Sequence, residues 1–150
     1  MSTISTAYDE IVSEISGVLT EHSEMTNPYD PAGEDDLGLD KSFGVQFGSG
    51  VNTELLIGCN MTFRRQFDVI ITRKLFVTHR SLAQRKSTEK SLLEDHFLVV
   101  QALEQNLTLT SNVNSVKYIS DTGIRFIRGE THSYIMVGIT LEAEYFEVLS

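Results

Sequence analysis

The stretch Met61–Val77, MTFRRQFDVIITRKLFV, decides the fold because apolar and polar side chains alternate along most of it. Its apolar residues at alternate positions are Met61, Phe63, Phe67, Val69, Ile71, Leu75 and Val77. A period of two residues predicts a strand that buries one face. Fully extended, the run would span roughly 50 Å, at about 3.3 Å per residue. We therefore expect it to bend, to contain a bulge or to project from the domain.

Two arginines, Arg65 and Arg73, interrupt the apolar face of this strand. Burying an unpaired guanidinium is costly, so each side chain must reach solvent at an edge or meet a carboxylate. One interpretation places both at strand ends where the core has run out. The other extends the strand past its own core, where the arginines meet acids of a neighbouring copy. Arg65 and Arg73 are therefore our candidate intersubunit contacts.

The segments around this strand predict the order helix, strands, helix, strands. Apolar residues recur at three- and four-residue steps between Ile4 and Leu19, as in an amphipathic helix. SFGVQFGSG, residues 42–50, predicts a strand followed by a turn at its glycines. A second helix is predicted to end near Asn106, and it begins at a capping box, Ser91–Glu94, or in the polar run before it. Its apolar stripe is Leu93, Phe97, Val100 and Leu103, with Leu92 and Val99 alongside.

The last third of the chain reads as strands at residues 115–120, 123–129 and 133–148. Along the last of these strands the residues predicted to share one face are Ile135, Val137, Ile139, Leu141, Ala143 and Tyr145. Strands adjacent in sequence favour antiparallel pairing, so we predict an α+β fold with two main helices packed on one face of an antiparallel sheet. A chain of 150 residues suits a single domain, residues 1–150. The proline-, glycine- and acid-rich segment at about 26–41 is predicted to be an exposed loop.

Charge is distributed unevenly along the chain, whose net charge is -9. Residues 1–40 contain ten acids and no Lys or Arg, residues 41–90 nine bases and three acids, and residues 91–150 three bases and eight acids. This separation suits a protein that meets copies of itself or other proteins through complementary faces. The alternative is that helical segments happen to be acidic without any such role.

Cysteine and hydropathy patterns indicate a protein of a reducing compartment with no membrane segment. A single cysteine, Cys59, cannot form an internal disulfide. The N-terminus lacks the pattern of a secretory signal, and no run of about 18 apolar residues occurs.

A search for chemistry in the sequence finds no catalytic, cofactor-binding or metal site. The histidines His22, His79, His96 and His132 lack ligand spacing, and no nucleophile elbow or phosphate-binding glycine loop occurs. Glu94, Asp95 and His96 point in different directions on a helix and are expected to form an exposed flank. The bases of the long strand are split between its two faces, which argues against direct nucleic-acid binding. We therefore predict that the protein is not an enzyme and has no cofactor.

The order of elements and several short segments of the sequence resemble those of the tail terminator, or tail completion, proteins of long-tailed bacteriophages. These segments are the amphipathic first helix, the acidic loop, SFGVQFG, FRRQFDVIITRK, LLEDH and ITLEAEYFE. The resemblance implies a virion protein, assembled in the host cytoplasm, that forms a ring, typically a hexamer, at the head-proximal end of the tail. Such a ring ends tube polymerisation, contacts the tail tube protein and the head-tail connector protein, and lets DNA pass without specific binding.

Two alternatives remain open from the sequence. Another head-tail connector or stopper protein would also be small and ring-forming. A cone-shaped α+β ligand-binding protein or enzyme would instead need polar side chains facing its interior, for which Arg65, Arg73 and Tyr145 are the candidates.

Overall fold

In the part of the chain that the structure describes, a six-stranded, mostly antiparallel sheet carries two helices on one face, as the computed structural model shows. The structure describes residues 2–29, 40–55, 60–75, 82–105, 112–128 and 133–148. In chain order its elements are α1 (Thr3–Val18), β1 (Ser23–Glu24), β2 (Lys41–Leu55), β3 (Asn60–Leu75), α2 (Leu82–Gln105), β4 (Val113–Asp121), β5 (Arg125–Arg128) and β6 (Ser133–Val148). The predicted fold class and element order are confirmed.

The two longest paired strands, β3 and β6, form the centre of the sheet. Their antiparallel register runs from Asn60 opposite Val148 to Leu75 opposite Ser133 without a shift. β2 lies on the other side of β3 with β1 parallel beside it, and β4 and β5 both pair with the free edge of β6. The predicted bulge in the Met61–Val77 strand is therefore absent from its described part, residues 61–75. The irregularities lie in β2 and β4 instead.

The glycine-rich end of SFGVQFGSG continues a strand and does not form the predicted turn. β2 runs through residues 47–50, and its register against β3 shifts between Phe47 and Gly50. Gly50 lies opposite Arg65, and a Cβ at this glycine would come within 2.9 Å of the Arg65 guanidinium carbon. The glycines thus form a bulge, and they leave room for the large side chain of Arg65 on the neighbouring strand β3.

The β4–β5 edge is one broken strand. The two segments run in the same direction along β6. Arg125 lies four residues after Asp121, whereas their partners on β6, Met136 and Ile139, are only three residues apart, so the edge contains one extra residue at the break. Gly123 takes a positive φ of 69° at this break, a conformation that glycine adopts without strain. Thr122 restores the pairing, because its amide donates to the Gly138 carbonyl and its Oγ1 accepts from the Gly138 amide.

The core lies between the helices and one face of the sheet. On α1 the buried apolar residues are Ala7, Ile11 and Ile15. From the sheet the alternating residues of β2, β3 and β6 point toward the helices, and the most buried of them include Phe43, Phe67, Val69, Ile71, Ile135, Val137, Ile139, Leu141, Ala143 and Tyr145. The two-residue period that the sequence predicted for β3 and β6 is confirmed.

The second helix packs in a different phase from the one predicted. It begins by Leu82, so residues Ser91–Glu94 lie inside it, and the Ser91 hydroxyl donates to the Ser87 carbonyl one turn earlier. The residues buried against the sheet are Leu92, Asp95, Val99 and Leu103. Leu93 and Phe97, expected in the core, are 51% and 57% exposed. The capping-box start is therefore wrong and the alternative start in the polar run before it is confirmed. Within the predicted stripe Leu93 and Phe97 are wrong, whereas Leu103 and the flanking Leu92 and Val99 are buried and Val100 packs against the core.

The N-terminus of α1 is anchored by the last strand. The Glu147 carboxylate accepts hydrogen bonds from the Thr3 and Ile4 amides at 2.9 and 3.1 Å. Ser2 adds a cap, since its hydroxyl accepts from the Ser5 amide at 3.2 Å. A carboxylate at a helix N-terminus pairs with unsatisfied N–H groups and with the positive end of the helix dipole.

The start of the predicted acidic loop lies on the face of the sheet opposite the helices. Met25 and Pro28 pack on Gly44, and the Gln46 side-chain amide donates to the Pro28 carbonyl. Residues 30–39, which carry most of the loop's acids, lie outside the described residues.

Candidate functional surfaces

Arg73, one of the two candidate contacts, forms a buried cluster with Asp95 and His22, here called the Asp95 cluster. The guanidinium donates from Nε to Asp95 Oδ2 at 2.6 Å and from Nη2 to Oδ1 at 2.9 Å. His22 Nε2 lies 3.2 Å from the same Oδ2. Strand β3 supplies the arginine, α2 the carboxylate and the segment after α1 the histidine. The cluster therefore joins three parts of the chain.

The charges of the Asp95 cluster stabilise one another. Burial alone would raise the pKa of Asp95, but hydrogen bonds from His22 and Arg73 and the Arg73 charge outweigh it and hold the pKa below its usual value. The hydrogen bonds to Asp95 raise the pKa of Arg73. A bidentate arginine–carboxylate pair supplies both charge and direction. Arg73 thus has a carboxylate partner in its own chain.

Arg65, the other candidate contact, lies at the β2 side of the sheet. Its Nε donates to the Tyr145 hydroxyl at 3.1 Å, and its Nη1 donates to the Gly48 carbonyl at 2.9 Å. Tyr145 is buried and its ring stacks with that of Phe63 at 5.7 Å. Neither partner of Arg65 is charged. An intersubunit role for Arg65 or Arg73 stays a prediction.

Beside Arg65 a surface cleft opens between α1 and β2, with a volume of about 380 Å³. We call it the α1 cleft, and it is lined by Ile4, Ser5, Tyr8, Asp9, Phe47 and Arg65. The rings of Tyr8 and Phe47 lie 5.5 Å apart. Burial, together with the nearby charge of Glu24, raises the pKa of Tyr8, so its hydroxyl remains protonated at neutral pH. The cleft is an apolar, aromatic recess with one acid and one base among its lining residues.

A second surface is the outer stripe of α2, which consists of Lys86, Lys90, Leu93 and Phe97. These residues recur at steps of four, three and four and so share one face of the helix. All four are exposed, and of the two apolar residues Phe97 is more exposed than Leu93. Glu104, seven residues after Phe97 and therefore on the same face, accepts a hydrogen bond from the Tyr118 amide of β4 at 2.7 Å. The outer stripe thus lies on the β4 side of the helix layer.

The two surfaces lie over opposite edges of the sheet. The α1 cleft includes Phe47 of β2, whereas the outer stripe follows the β4 side. β3 and β6 separate β2 from β4 in the sheet. The surfaces also differ in charge, because α1 carries Asp9, Glu10 and Glu14 without a base and the outer stripe carries two lysines.

A polar cleft near the Asp95 cluster gathers basic side chains and hydroxyls, with a volume of about 280 Å³. Its lining residues are Asp40, Lys41, Arg73, Lys74, Ser87, Thr88 and Ser91. Lys41 Nζ donates to Glu21 at 2.6 Å, and the hydrogen bond from Lys41 lowers the pKa of Glu21. Lys41 and Arg73 are therefore each paired with a carboxylate of their own chain.

Glu94, Asp95 and His96 point in different directions from α2, as the sequence predicted. They do not form the uniformly exposed flank that was also predicted. Glu94 is exposed, whereas Asp95 is only 4% exposed. His96 faces β4, where its ring contacts Tyr118 and its Nε2 lies 3.3 Å from Asp121 Oδ2 without hydrogen-bonding geometry. Sequence reasoning missed the Asp95 cluster. The available signal was that Asp95 falls in phase with Leu92, Val99 and Leu103.

The metal-ligating residue types are scattered in the described part of the chain. There, no group of three or more His, Cys, Asp or Glu residues could hold a metal ion. Cys59, His79 and His132 lie outside the described residues. Neither of the two described helices is both long and apolar enough to span a membrane.

Comparison with known proteins gives limited similarity. No protein-family model and no curated protein matches the chain. Among solved structures, the chain is similar to one described as "Virion of native gene transfer agent (GTA) particle", with a TM-score of 0.48 and 12% sequence identity. The match covers 97% of this chain and 95% of that chain. At this level of similarity the function has to be argued from the chain's own surfaces.

Proposed function

We propose that the chain is a structural protein of a phage-like virion and, more narrowly, a tail terminator. In this role six copies form a ring at the head-proximal end of the tail. The ring ends polymerisation of the tail tube, contacts the head-tail connector and leaves a passage for DNA. The sequence resemblance supplies the role, and the surfaces of the subunit support assembly.

The observation that carries the proposal is the exposed outer stripe of α2. Leu93 and Phe97 expose about half of their side chains on a helix whose other face already fills the core. Exposed aromatic side chains grouped with other apolar ones are typical of protein interfaces. A surface of this kind on one side of the helix layer, with acidic α1 on the same subunit, suits repeated contacts between copies.

The charge distribution also favours a structural role over nucleic-acid binding. With a net charge of -9, the subunit would repel phosphate over most of its surface. Arg64 is paired with Glu144, and Arg73 with Asp95. A ring through which DNA passes benefits from weak attraction to the backbone, because strong binding would stop the DNA.

The alternatives make different demands on the chain. A connector or stopper protein would use the same kind of ring contacts but would bind the connector rather than cap a tube. A cone-shaped binding protein would need polar side chains that line an interior pocket. In the described core most buried side chains are apolar, and the polar Asp95 cluster is paired within itself. Tyr145, a candidate for such an interior, hydrogen-bonds Arg65 beside the α1 cleft.

Electron microscopy and light scattering of the purified chain test the proposal. We expect a ring with a central hole, formed by the chain alone or on the end of a tail tube, with the mass of a small symmetric oligomer. Addition of the chain to polymerising tube protein should shorten the tubes. A chain that stays monomeric at high concentration, and that neither binds tube ends nor limits tube length, would contradict the terminator role.

A further inference from the structure

We propose that Phe97 of one copy inserts into the α1 cleft of the next copy, so that the two surfaces described above form a single repeated contact. The inference rests on the proposed function, because it names the contact through which copies would form the ring. The outer stripe of α2 then contacts a second copy of this chain and not the tail tube protein or the connector.

The shapes of the two surfaces support the pairing. Phe97 is 57% exposed and projects from the middle of a long helix, with Leu93 one turn before it. The α1 cleft is apolar at Ile4 and aromatic at Tyr8 and Phe47. Aromatic anchors that fill a recess on the partner are the usual source of binding energy in protein interfaces. Within the cleft, Arg65 offers a planar cation that can lie against an aromatic ring.

The charges beside the two surfaces are complementary. Lys90 lies two helical turns before Phe97, about 10 Å along the axis, on the same face. Asp9 lies among the residues of the α1 cleft and is exposed. With Phe97 in the cleft, the long side chain of Lys90 can reach toward Asp9 of the neighbouring α1. This pair would set the direction of the contact more than its strength.

The placement of the surfaces on the subunit makes the contact head-to-tail. The α1 cleft lies at the β2 side and Phe97 at the β4 side. One copy therefore presents its β4 side to the β2 side of the next, and each copy retains one surface of each kind. A contact between two different surfaces repeats around a ring when the rotation closes.

Cysteine cross-linking tests the geometry directly. In a Cys59→Ser background, the double variant Leu93→Cys and Ser5→Cys, which keeps Phe97 as the anchor, should form a disulfide between copies under mild oxidation. Because each copy carries both partners, we expect a ladder of covalent oligomers that ends at the size of the ring. The two single variants are matched controls and should give covalent dimers at most. No ladder from the double variant, under conditions in which the Cys59→Ser protein forms rings, would overturn the proposal.

Substitutions measure the contribution of the contact. Phe97→Ser should weaken association of copies at least about tenfold. Val51→Ser, a control at an apolar position 61% exposed on β2, should leave association unchanged. Lys90→Glu and Asp9→Lys should each weaken association, and their combination should restore much of it.

The outcomes separate this contact from the proposed function. If the wild-type chain forms rings and Phe97→Ser forms them equally well, the contact is wrong and the ring function stands. If Phe97→Ser rings form but no longer bind tubes or connectors, the stripe serves another partner and the contact is again wrong. If the wild-type chain forms no ring alone or on tubes, the function itself fails.

Discussion

Arg73 of β3 donates two hydrogen bonds to Asp95 of α2, at 2.6 and 2.9 Å, inside the helix–sheet interface. Arg64 lies on the opposite face of the same strand and donates to Glu144 of β6 at 3.2 Å. The Asp95 side chain is 6% exposed, whereas that of Glu144 is 32% exposed. The same two chemical groups thus meet once in the interior and once at the surface.

Arg73→Gln should destabilise the fold far more than Arg64→Gln. Removing Arg73 leaves a carboxylate buried without its main counter-charge, which costs about 3–5 kcal/mol. Removing Arg64 from an exposed pair costs less than about 1 kcal/mol. Urea unfolding followed by circular dichroism gives both free energies.

The same measurement bears on the intersubunit role predicted for Arg73. Equal stability of the two variants would show that the Asp95 pair adds little to folding. If Arg73→Gln were as stable as the wild type but failed to assemble, Arg73 would act between copies. We expect unfolding to be the main effect, since the arginine already has a partner in its own chain.

Acid should destabilise the protein through Asp95. Since the pKa of Asp95 is lowered in the folded state, its contribution to stability is present above the unfolded value of about 3.9. It is lost as the pH falls through the lower folded value. The free energy of unfolding should therefore decrease below about pH 4, and this slope should be shallower in Asp95→Asn.

A matched control for the acid response is Glu21→Gln. The hydrogen bond from Lys41 lowers the pKa of Glu21 too, but the carboxylate is 75% exposed. Solvent screening makes its contribution small, so this variant should keep the wild-type slope. An Asp95→Asn protein with an unchanged slope would place the acid sensitivity elsewhere.

Glu147→Ala should loosen α1 from the sheet. Its carboxylate accepts from the amides of Thr3 and Ile4 at the helix N-terminus, and loss of such a cap costs about 1–2 kcal/mol. Amide exchange of the first turn should rise more than global stability falls. Glu142→Ala, on the other face of the same strand, should change stability by less than about 0.5 kcal/mol. Similar exchange in both variants would argue against a capping role.

Gly44→Ala should displace the segment before the acidic loop. A Cβ at Gly44 would lie 2.6 Å from Pro28 Cβ, and a proline ring cannot rotate out of the way as a long side chain can. We expect a lower melting temperature and faster amide exchange around Met25. In contrast, Gly17→Ala on α1 has nothing within 4 Å and should stabilise the helix by about 0.5–1 kcal/mol. A Gly44→Ala protein with unchanged exchange would show that Pro28 can move at little cost.

The sequence alone determined the two-residue period of β3 and β6, the position of α1 and the α+β class. These features follow from local alternation of apolar and polar residues, which fixes the side of a strand or helix that can be buried. It also identified Arg65 and Arg73 as anomalies, since a charge on an apolar face is visible without coordinates. Their partners within the chain were not visible.

Only the tertiary structure decided which face of α2 is buried. Leu92, Val99 and Leu103 compete with Leu93 and Phe97 for the sheet, and both sets have helical spacing. In the structure the first set is buried, and the same phase brings Asp95 to Arg73, a partner 22 residues earlier on another element. A carboxylate that is costly to bury alone becomes favourable only when the fold supplies the guanidinium and the histidine beside it. That choice also leaves Leu93 and Phe97 at the surface, where the sequence had predicted core.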